Sequence, residues 1–287
     1  MRAATPSPRR RGVATRTRRR FLVTFTGVAS LLGTVLYAGQ PLETETARLL
    51  PAGGLKTEAT FEYQTSPDGK EYDLPFAFEY GITDRLEILV EPVWVTAIRP
   101  SSGRGATGFG DLEMTLSYLV LRERTFLPAI APAFEIKIPT ASDDLIGTGE
   151  PDERFLLIAS KRFGAFDTHV NLGYTVVGSP QGASLKNVFD YAFAIEYNLL
   201  PTVDLVAEVL GNTASSPEGD TAEGTGGPAE NAIVPEAAGT EVSGLVGFRY
   251  YVRPNLFLSL GGSYDNNDAF LVRPGITWEL PLEATPF

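Results

Sequence analysis

The side chains best able to do chemistry in this chain are carboxylates that recur at alternate positions of short apolar segments. Between Asp111 and Tyr118, for example, one alternating set is Asp, Glu, Thr and Ser, and the other is Leu, Met, Leu and Tyr. Successive side chains of a β-strand point to opposite faces of the sheet, so these acids would collect on one face. If that face lined a pore, it would favour cations over anions.

Fifteen charged residues fall on such polar faces, and we predict that they line the interior of the fold. They are Glu58, Glu62, Glu79, Glu87, Glu91, Glu113, Glu135, Lys137, Asp190, Glu196, Asp204, Glu208, Arg249, Arg273 and Glu279. One interpretation is a wet lumen that selects by charge. The other is a filled interior, in which carboxylates pair with Lys and Arg between strands and hold a narrow barrel rigid. The sequence leaves both open, and both can apply at different depths.

His169 is the only histidine of the chain, and it alternates onto the polar face with Asp167 and Asn171. A lipid-modifying enzyme would need a nucleophilic serine beside such a histidine, and Ser117 and Ser160 are the candidates. Nothing in the sequence links these residues, and a lone histidine on a polar face is more often structural. We therefore predict that the protein is not an enzyme.

No metal or cofactor is predicted. Asp143, Asp144, Asp152 and Glu153 share one acidic loop and could hold Ca²⁺ through oxygen ligands, but their spacing is not that of a calcium loop. Residues 103–110 are rich in glycine, yet no Lys-Ser or Lys-Thr follows, as a phosphate-binding loop requires. The chain contains no cysteine, which excludes disulfides and thiolate metal sites.

The elements that must position these side chains are β-strands. From Leu55 onward no stretch shows a helical period, whereas alternation with a period of two recurs. We predict about twelve strands, near residues 55–65, 73–80, 85–97, 111–118, 126–138, 153–163, 166–177, 189–197, 202–210, 241–251, 255–264 and 270–280. An even number of strands places both ends of the barrel's chain at the same end of the barrel, which we predict to be the periplasmic end.

The connections between these strands favour a membrane barrel over a soluble β-sandwich. Tight turns are predicted at 81–85, 122–125, 163–165, 199–202 and 252–255. Longer loops are predicted at 66–71, 99–107, 140–152, 178–187, 211–240 and 265–268. Strict alternation of short and long connections is typical of outer-membrane barrels, which have short periplasmic turns and longer outer loops. We therefore predict an all-β fold, a transmembrane antiparallel up-and-down β-barrel.

The first 38 residues predict an exported protein. They contain eight arginines and no acidic residue, and an apolar run over 21–37 ends in small residues, as in a cleaved secretory signal peptide. Residues 17–22 resemble the twin-arginine export signal, but that route carries folded cargo and a barrel travels unfolded, so we favour general secretion. Beyond residue 38, 16 basic residues stand against 35 acids, a formal charge of −19 that excludes nucleic acid as a partner.

Several motifs together resemble an outer-membrane family named for the MetA pathway of phenol degradation. They follow in order along nearly the whole mature chain, at residues 45–53, 78–87, 108–112, 135–140, 159–164 and 169–174. The resemblance implies a location in the outer membrane of a Gram-negative bacterium. It also implies passive transport of small, aromatic or hydrophobic compounds, and it carries over no catalytic residue.

We thus expect a signal peptide at 1–38, a periplasmic N-terminal segment at 39–54 and a barrel at 55–287. Residues 273–280 resemble the terminal-strand signal that the barrel assembly machinery reads. The expected partners are this machinery, outer-membrane lipid and a small solute. The 39–54 segment and the 211–240 loop are candidates for gating or plugging the lumen. The alternatives are a structural or plugged barrel, a lipid-modifying enzyme and a soluble periplasmic β-protein.

Overall fold

The computed structural model describes residues 42–181, 185–215 and 240–280. The predicted signal peptide and most of the predicted 211–240 loop lie outside the described residues. Among the residues described, no helix is long and apolar enough to span a bilayer. The strands are β1 (Leu55–Thr60), β2 (Glu62–Ser66), β3 (Gly69–Thr83), β4 (Leu86–Pro100), β5 (Ala106–Gly108), β6 (Leu112–Tyr118), β7 (Ala129–Ile138), β8 (Asp152–Phe163), β9 (Phe166–Val176), β10 (Val188–Leu200), β11 (Val203–Asn212), β12 (Glu241–Arg253), β13 (Leu256–Asp265) and β14 (Phe270–Leu280).

These segments form one antiparallel sheet that closes on itself, because β1 pairs with both β14 and β3. β1 and β2 are two parts of one strand, as are β5 and β6, so the barrel has 12 strands. The first strand breaks opposite Pro274, which has no N–H group to donate, and Phe61 N–H donates to the Pro274 carbonyl (3.0 Å). The predicted twelve-stranded up-and-down barrel is confirmed.

The two faces of the barrel wall differ as the alternation predicts. Outward side chains are large and apolar, and many are exposed, such as Trp94 (58%) and Phe193 (46%). Inward side chains are mostly polar or charged and buried, such as Arg249 (1% exposed) and Glu196 (2%). A wall with an apolar outer face and a polar inner face matches lipid on one side and a polar lumen on the other.

The connections also differ between the two ends of the barrel. At one end, which we call the short-turn end, two-residue turns lie at 84–85, 164–165, 201–202 and 254–255. At the other, the loop end, longer connections lie at 101–105, 139–151, 177–187 and 213–240. In outer-membrane barrels the short turns face the periplasm and the long loops face outward.

The predicted long loop at 66–71 is wrong. β2 and β3 are joined by a two-residue turn, Pro67 and Asp68, and Gly69 follows with a φ of 147°. A side chain at Gly69 would bring its β-carbon within 2.3 Å of the Arg99 carbonyl oxygen. Glycine is therefore what lets the start of β3 approach the end of β4 this closely, and the β2–β3 connection at the loop end is short.

One further connection differs in length from the prediction, since the one predicted as tight at 122–125 extends over 119–128. The connection predicted over 265–268 is found at 266–269, with the same length. The strict alternation of short and long connections therefore fails at two places. The 119–128 loop has a consequence for the interior, because it brings Glu123 over the short-turn end of the lumen.

Candidate functional site

The fifteen predicted interior residues all lie on the inward face of the wall, and none is exposed. Three arginines organise much of this face, because each contacts two carboxylates. The pairs are Arg154 with Glu135 (3.1 Å) and Asp190 (2.5 Å), Arg249 with Glu196 and Asp204 (3.4 Å), and Arg273 with Glu43 (2.6 Å) and Glu62 (3.0 Å). Ion pairing of this kind is what buried charges require, and it supports the filled interior over this part of the lumen. Arg154 was not among the predicted residues.

The remaining predicted residues have other partners. Lys56 pairs with Glu79 and lies opposite Glu279, Lys137 pairs with Asp152 (2.5 Å), and Glu58 accepts hydrogen bonds from Thr60 (2.6 Å) and Thr277 (2.5 Å). Glu87 and Glu208 accept backbone N–H groups from a segment inside the barrel. Glu91 and Glu113 face each other across β4 and β6. That these residues line a conducting pore stays a prediction.

A segment that precedes the first strand occupies the barrel interior. Residues 42–50, which we call the lumen segment, lie among the inward side chains, although the sequence predicts a periplasmic location for 39–54. The strand ladder uses the backbone groups of the wall, so the N–H groups of this segment bond to wall side chains. Glu208 accepts from Leu42, Glu43 (3.1 Å) and Thr44 (2.9 Å), Asn171 from Glu45 (2.6 Å), Ser160 from Ala47 (2.8 Å) and Glu87 from Leu50 (2.6 Å).

Apolar contacts hold the lumen segment at two heights. Its inner end, Leu42, packs against Val206 and Leu245. Nearer the short-turn end, the segment packs in a second cluster, which comprises Ala47, Leu49, Leu119, Ala129, Ala131, Ala133, Leu156 and Ile158. Its three alanines from β7 occupy alternate inward positions, and their small size leaves room for the segment. We did not predict this row of alanines from the sequence, although small residues at the inward positions of a strand indicate that something packs against them.

Arg48 is the charged anchor of the lumen segment. Its guanidinium contacts Glu123 (2.6 Å) in the 119–128 loop and Asp167 (2.9 Å) on β9. Lys161 and the Arg162 N–H also bond to Glu123, each at 2.9 Å. Partial burial raises the pKa of Glu123, but hydrogen bonds from the Arg162 N–H, Arg48 and Lys161 outweigh it and hold that pKa below its ordinary value. The anchor therefore stays charged at neutral pH.

Ser160 and His169 lie side by side against the lumen segment. Ser160 Oγ is 2.9 Å from His169 Nδ1, and His169 Nε2 is 3.4 Å from a Glu196 oxygen. The geometry resembles a serine–histidine–carboxylate relay. However, Ser160 Oγ also accepts the Ala47 N–H group, and both side chains are fully covered. Asn171, which shares the polar face with His169, binds the backbone of Glu45. The pair therefore supports the segment and offers no access for a substrate carbonyl.

Above the lumen segment, the barrel opens into a vestibule at the loop end. Its empty space is about 1150 Å³, including the part that is open to solvent. Carboxylates dominate its charged lining, with Arg154 as the basic residue, and these acids are Glu43, Glu62, Glu113, Glu135, Asp190, Glu241 and Asp265. Its apolar lining includes Val188, Ala192, Leu210, Leu245, Ala269 and Leu271. The vestibule can therefore accept a solute with both apolar and cationic parts.

The acidic loop at 139–151 is held by salt bridges. Arg104 contacts Asp143 (2.8 Å) and Asp144, which ties two long loops together. The Leu145 N–H group and Arg104 both bond to Asp143 and lower the pKa of its carboxyl. Across the parts of the chain that the structure describes, no group of three or more His, Asp or Glu side chains is placed to hold a metal ion.

Comparisons with known proteins agree with this architecture. The COG4313 outer membrane channel from Pseudomonas putida F1 is 15% identical, with a TM-score of 0.58, over 82% of this chain and 98% of that chain. The NanC porin is 10% identical, with a TM-score of 0.56, over 78% of this chain and 100% of that chain. At such identities the likeness shows the fold. No curated protein matches the chain. Residues 38–269 match the family described as "Putative MetA-pathway of phenol degradation", and the chain is a β-barrel member of that family.

Proposed function

We propose that this protein is a passive outer-membrane channel for small, aromatic or hydrophobic compounds, and that the lumen segment closes it at rest. One observation carries the proposal. Among the described residues, a vestibule towards the loop end terminates at a segment that hydrogen bonds, ion pairs and apolar contacts hold in place, without strand pairing to the wall. Displacing residues 42–50 would therefore open a path and leave the barrel intact.

The contacts in the lumen suit a reversible displacement of the lumen segment. Each hydrogen bond from the segment to a wall side chain contributes about 0.5–1.5 kcal/mol net, since water can replace either partner. Glu208, Asn171 and Ser160 would become wetted polar groups once the segment left. Two wall charges would lose a partner in the segment but keep one in the wall, Asp167 with Arg162 and Arg273 with Glu62. The apolar stretch of the vestibule, which includes Leu210 and Leu271, supports the choice of an aromatic or hydrophobic solute.

The test is single-channel conductance and liposome swelling with the refolded full chain. A variant that lacks residues 42–50 should conduct several-fold more than the wild type and should pass larger solutes. A difference in gel mobility between unheated and boiled samples would confirm that the variant is a folded barrel. If neither protein conducts or swells liposomes, the proposal fails.

A second candidate is a structural barrel that is permanently closed. The observation in its favour is the set of arginines that each contact two carboxylates, such as Arg273 with Glu43 and Glu62. Arg273 holds the lumen segment as well as the wall, because it also donates to the Leu42 carbonyl. In a structural barrel, loss of the segment would lower thermal stability strongly, whereas in a channel it would mainly change conductance.

A further inference from the structure

Two carboxylates in the wall of the lumen lack the partners that the other acids have. Glu91 on β4 lies directly opposite Glu113 on β6 in the strand register. Glu91 is 3% exposed, and neither of its carboxylate oxygens has a hydrogen-bond partner. Within the described residues, no ion pair reaches either carboxylate. Buried polar groups are almost always satisfied, so this pair requires an explanation.

The neighbouring cations, Arg154 and Lys137, act on Glu113 only at a distance, because their salt bridges go to other acids. Arg154 is taken by Glu135 and Asp190, at 3.1 and 2.5 Å. Lys137, which stands across from Glu113 on β7, has its ammonium group 2.5 Å from Asp152.

The strongest electrostatic neighbours of Glu91 are also acids. They are Glu113, Glu45, Glu135 and Glu79. Two adjacent carboxylates in such a place are stable only if they share a proton or bind a cation.

One member of the pair can be reached from the vestibule. Glu113 is part of the vestibule lining, and Glu91 is its register partner on the adjacent strand, buried beside it. A solute in the vestibule would therefore contact Glu113 before Glu91. Apolar side chains such as Leu245 and Leu271 also line this space and could receive the rest of the solute.

We infer that Glu91 and Glu113 bind the ammonium or guanidinium group of a small organic cation. Such groups offer several N–H donors to a pair of carboxylates and make charge-assisted hydrogen bonds with them. An organic cation fits better than a metal ion, because no group of three or more acidic or histidine ligands is assembled in the described chain. The inference deepens the proposed channel function, since the vestibule provides the access.

Calorimetric titration of the purified full chain with n-butylammonium chloride tests the site, with n-butanol and sodium butyrate as neutral and anionic isosteres. The wild type should bind the ammonium compound and neither isostere. Glu91→Gln with Glu113→Gln should weaken this binding at least about tenfold, through the loss of two charge-assisted hydrogen bonds. Glu241→Gln is the matched control, because it removes the same charge from the vestibule lining but leaves the pair intact, so its affinity should stay within about twofold.

Several outcomes would overturn the inference. They are absence of butylammonium binding at neutral pH, equal affinity in the double variant, and equally tight binding of butanol. Complete displacement by millimolar calcium chloride would show an inorganic cation site instead. Conductance recorded on the same samples separates the two proposals. Binding without conductance would reject the channel and keep the site, whereas conductance without binding would reject the site and keep the channel.

Discussion

The side chain of Leu42 lies 2.9 Å from the position that a β-carbon would occupy at Gly261. The other atoms near that position are farther, the next being Arg273 Cγ at 3.6 Å. The absence of a side chain at Gly261 is therefore what admits the inner end of the lumen segment. Gly247, which pairs with Gly261 across β12 and β13, widens the same recess.

Gly261→Ala should therefore displace Leu42 and raise conductance. The atom that the new methyl group would meet is the Cδ1 end of a flexible side chain, so Leu42 can move aside and lose only part of the about 1.5–3 kcal/mol that its burial contributes. We therefore expect a shift towards an open lumen of less than about tenfold. Gly262→Ala is the control, because the nearest atom to its β-carbon would be 3.7 Å away. Single-channel recordings check both, and equal conductance in the two variants would contradict the role of this recess.

Acid should release the lumen segment at its charged anchor. The pKa of Glu123 is lower in the folded protein than in the unfolded chain, so its pairing with Arg48 is fully present above the unfolded value of about 4.3. The pairing is lost as pH falls through the lower, folded value. We expect conductance to rise below about pH 4 in the wild type. Arg48→Ala should conduct at neutral pH and show a weaker response to acid, and an unchanged pH profile in this variant would reject the anchor.

Ser160→Ala should weaken the closed state and should leave the background in lipase and esterase assays unchanged. The change removes the acceptor of the Ala47 N–H group, and an unsatisfied buried donor costs about 1–3 kcal/mol. A lower melting temperature and a higher conductance are expected. Assays with phospholipid and esterase substrates should give the same background for the wild type, Ser160→Ala and His169→Ala. Hydrolysis that disappeared in both variants would identify an enzyme.

Neutralising an unpaired lumen acid and neutralising a paired one should affect the stability of the barrel differently. Glu113→Gln removes a carboxylate that makes no ion pair in the described structure, so it should reduce cation preference and leave stability unchanged or higher. Glu196→Gln breaks the buried pair with Arg249, and removing one partner of such a pair costs about 3–5 kcal/mol. Reversal potentials in a salt gradient and thermal unfolding measure the two effects. Similar stability losses in both variants would contradict the distinction.

The strands were predictable from the sequence because the membrane and the lumen impose opposite requirements on alternate residues. Phe193 faces outward and Glu196 faces inward, as their positions in β10 predict. The positions of most inward acids followed from the same rule. Their partners did not, because pairing depends on which strands close against each other. Arg154 was overlooked although its inward position in β8 follows from the same alternation.

The sequence indicated that residues 39–54 could plug the lumen, but it did not show that residues 42–50 lie inside the barrel or which residues bind them. Its backbone bonds to side chains, so it shows neither the alternation of a strand nor the period of a helix. Its binding groups are spread over the whole chain, as Glu87 and Glu208 show. The turn after Ser66 was missed because Pro67 and Asp68 read equally well as part of a longer polar loop.

The same hydrogen bonds set an order of events in folding. The residues that hold the lumen segment are 37 to 231 positions away from it along the chain, as the Leu50–Glu87 and Leu42–Arg273 contacts show. Contacts so distant in sequence form late, and here they need acceptors from strands at both ends of the sheet. The segment can dock only after β1 and β14 have met. If the lumen segment closes the channel as proposed, we expect a newly inserted barrel to be leaky until residues 42–50 have docked inside it.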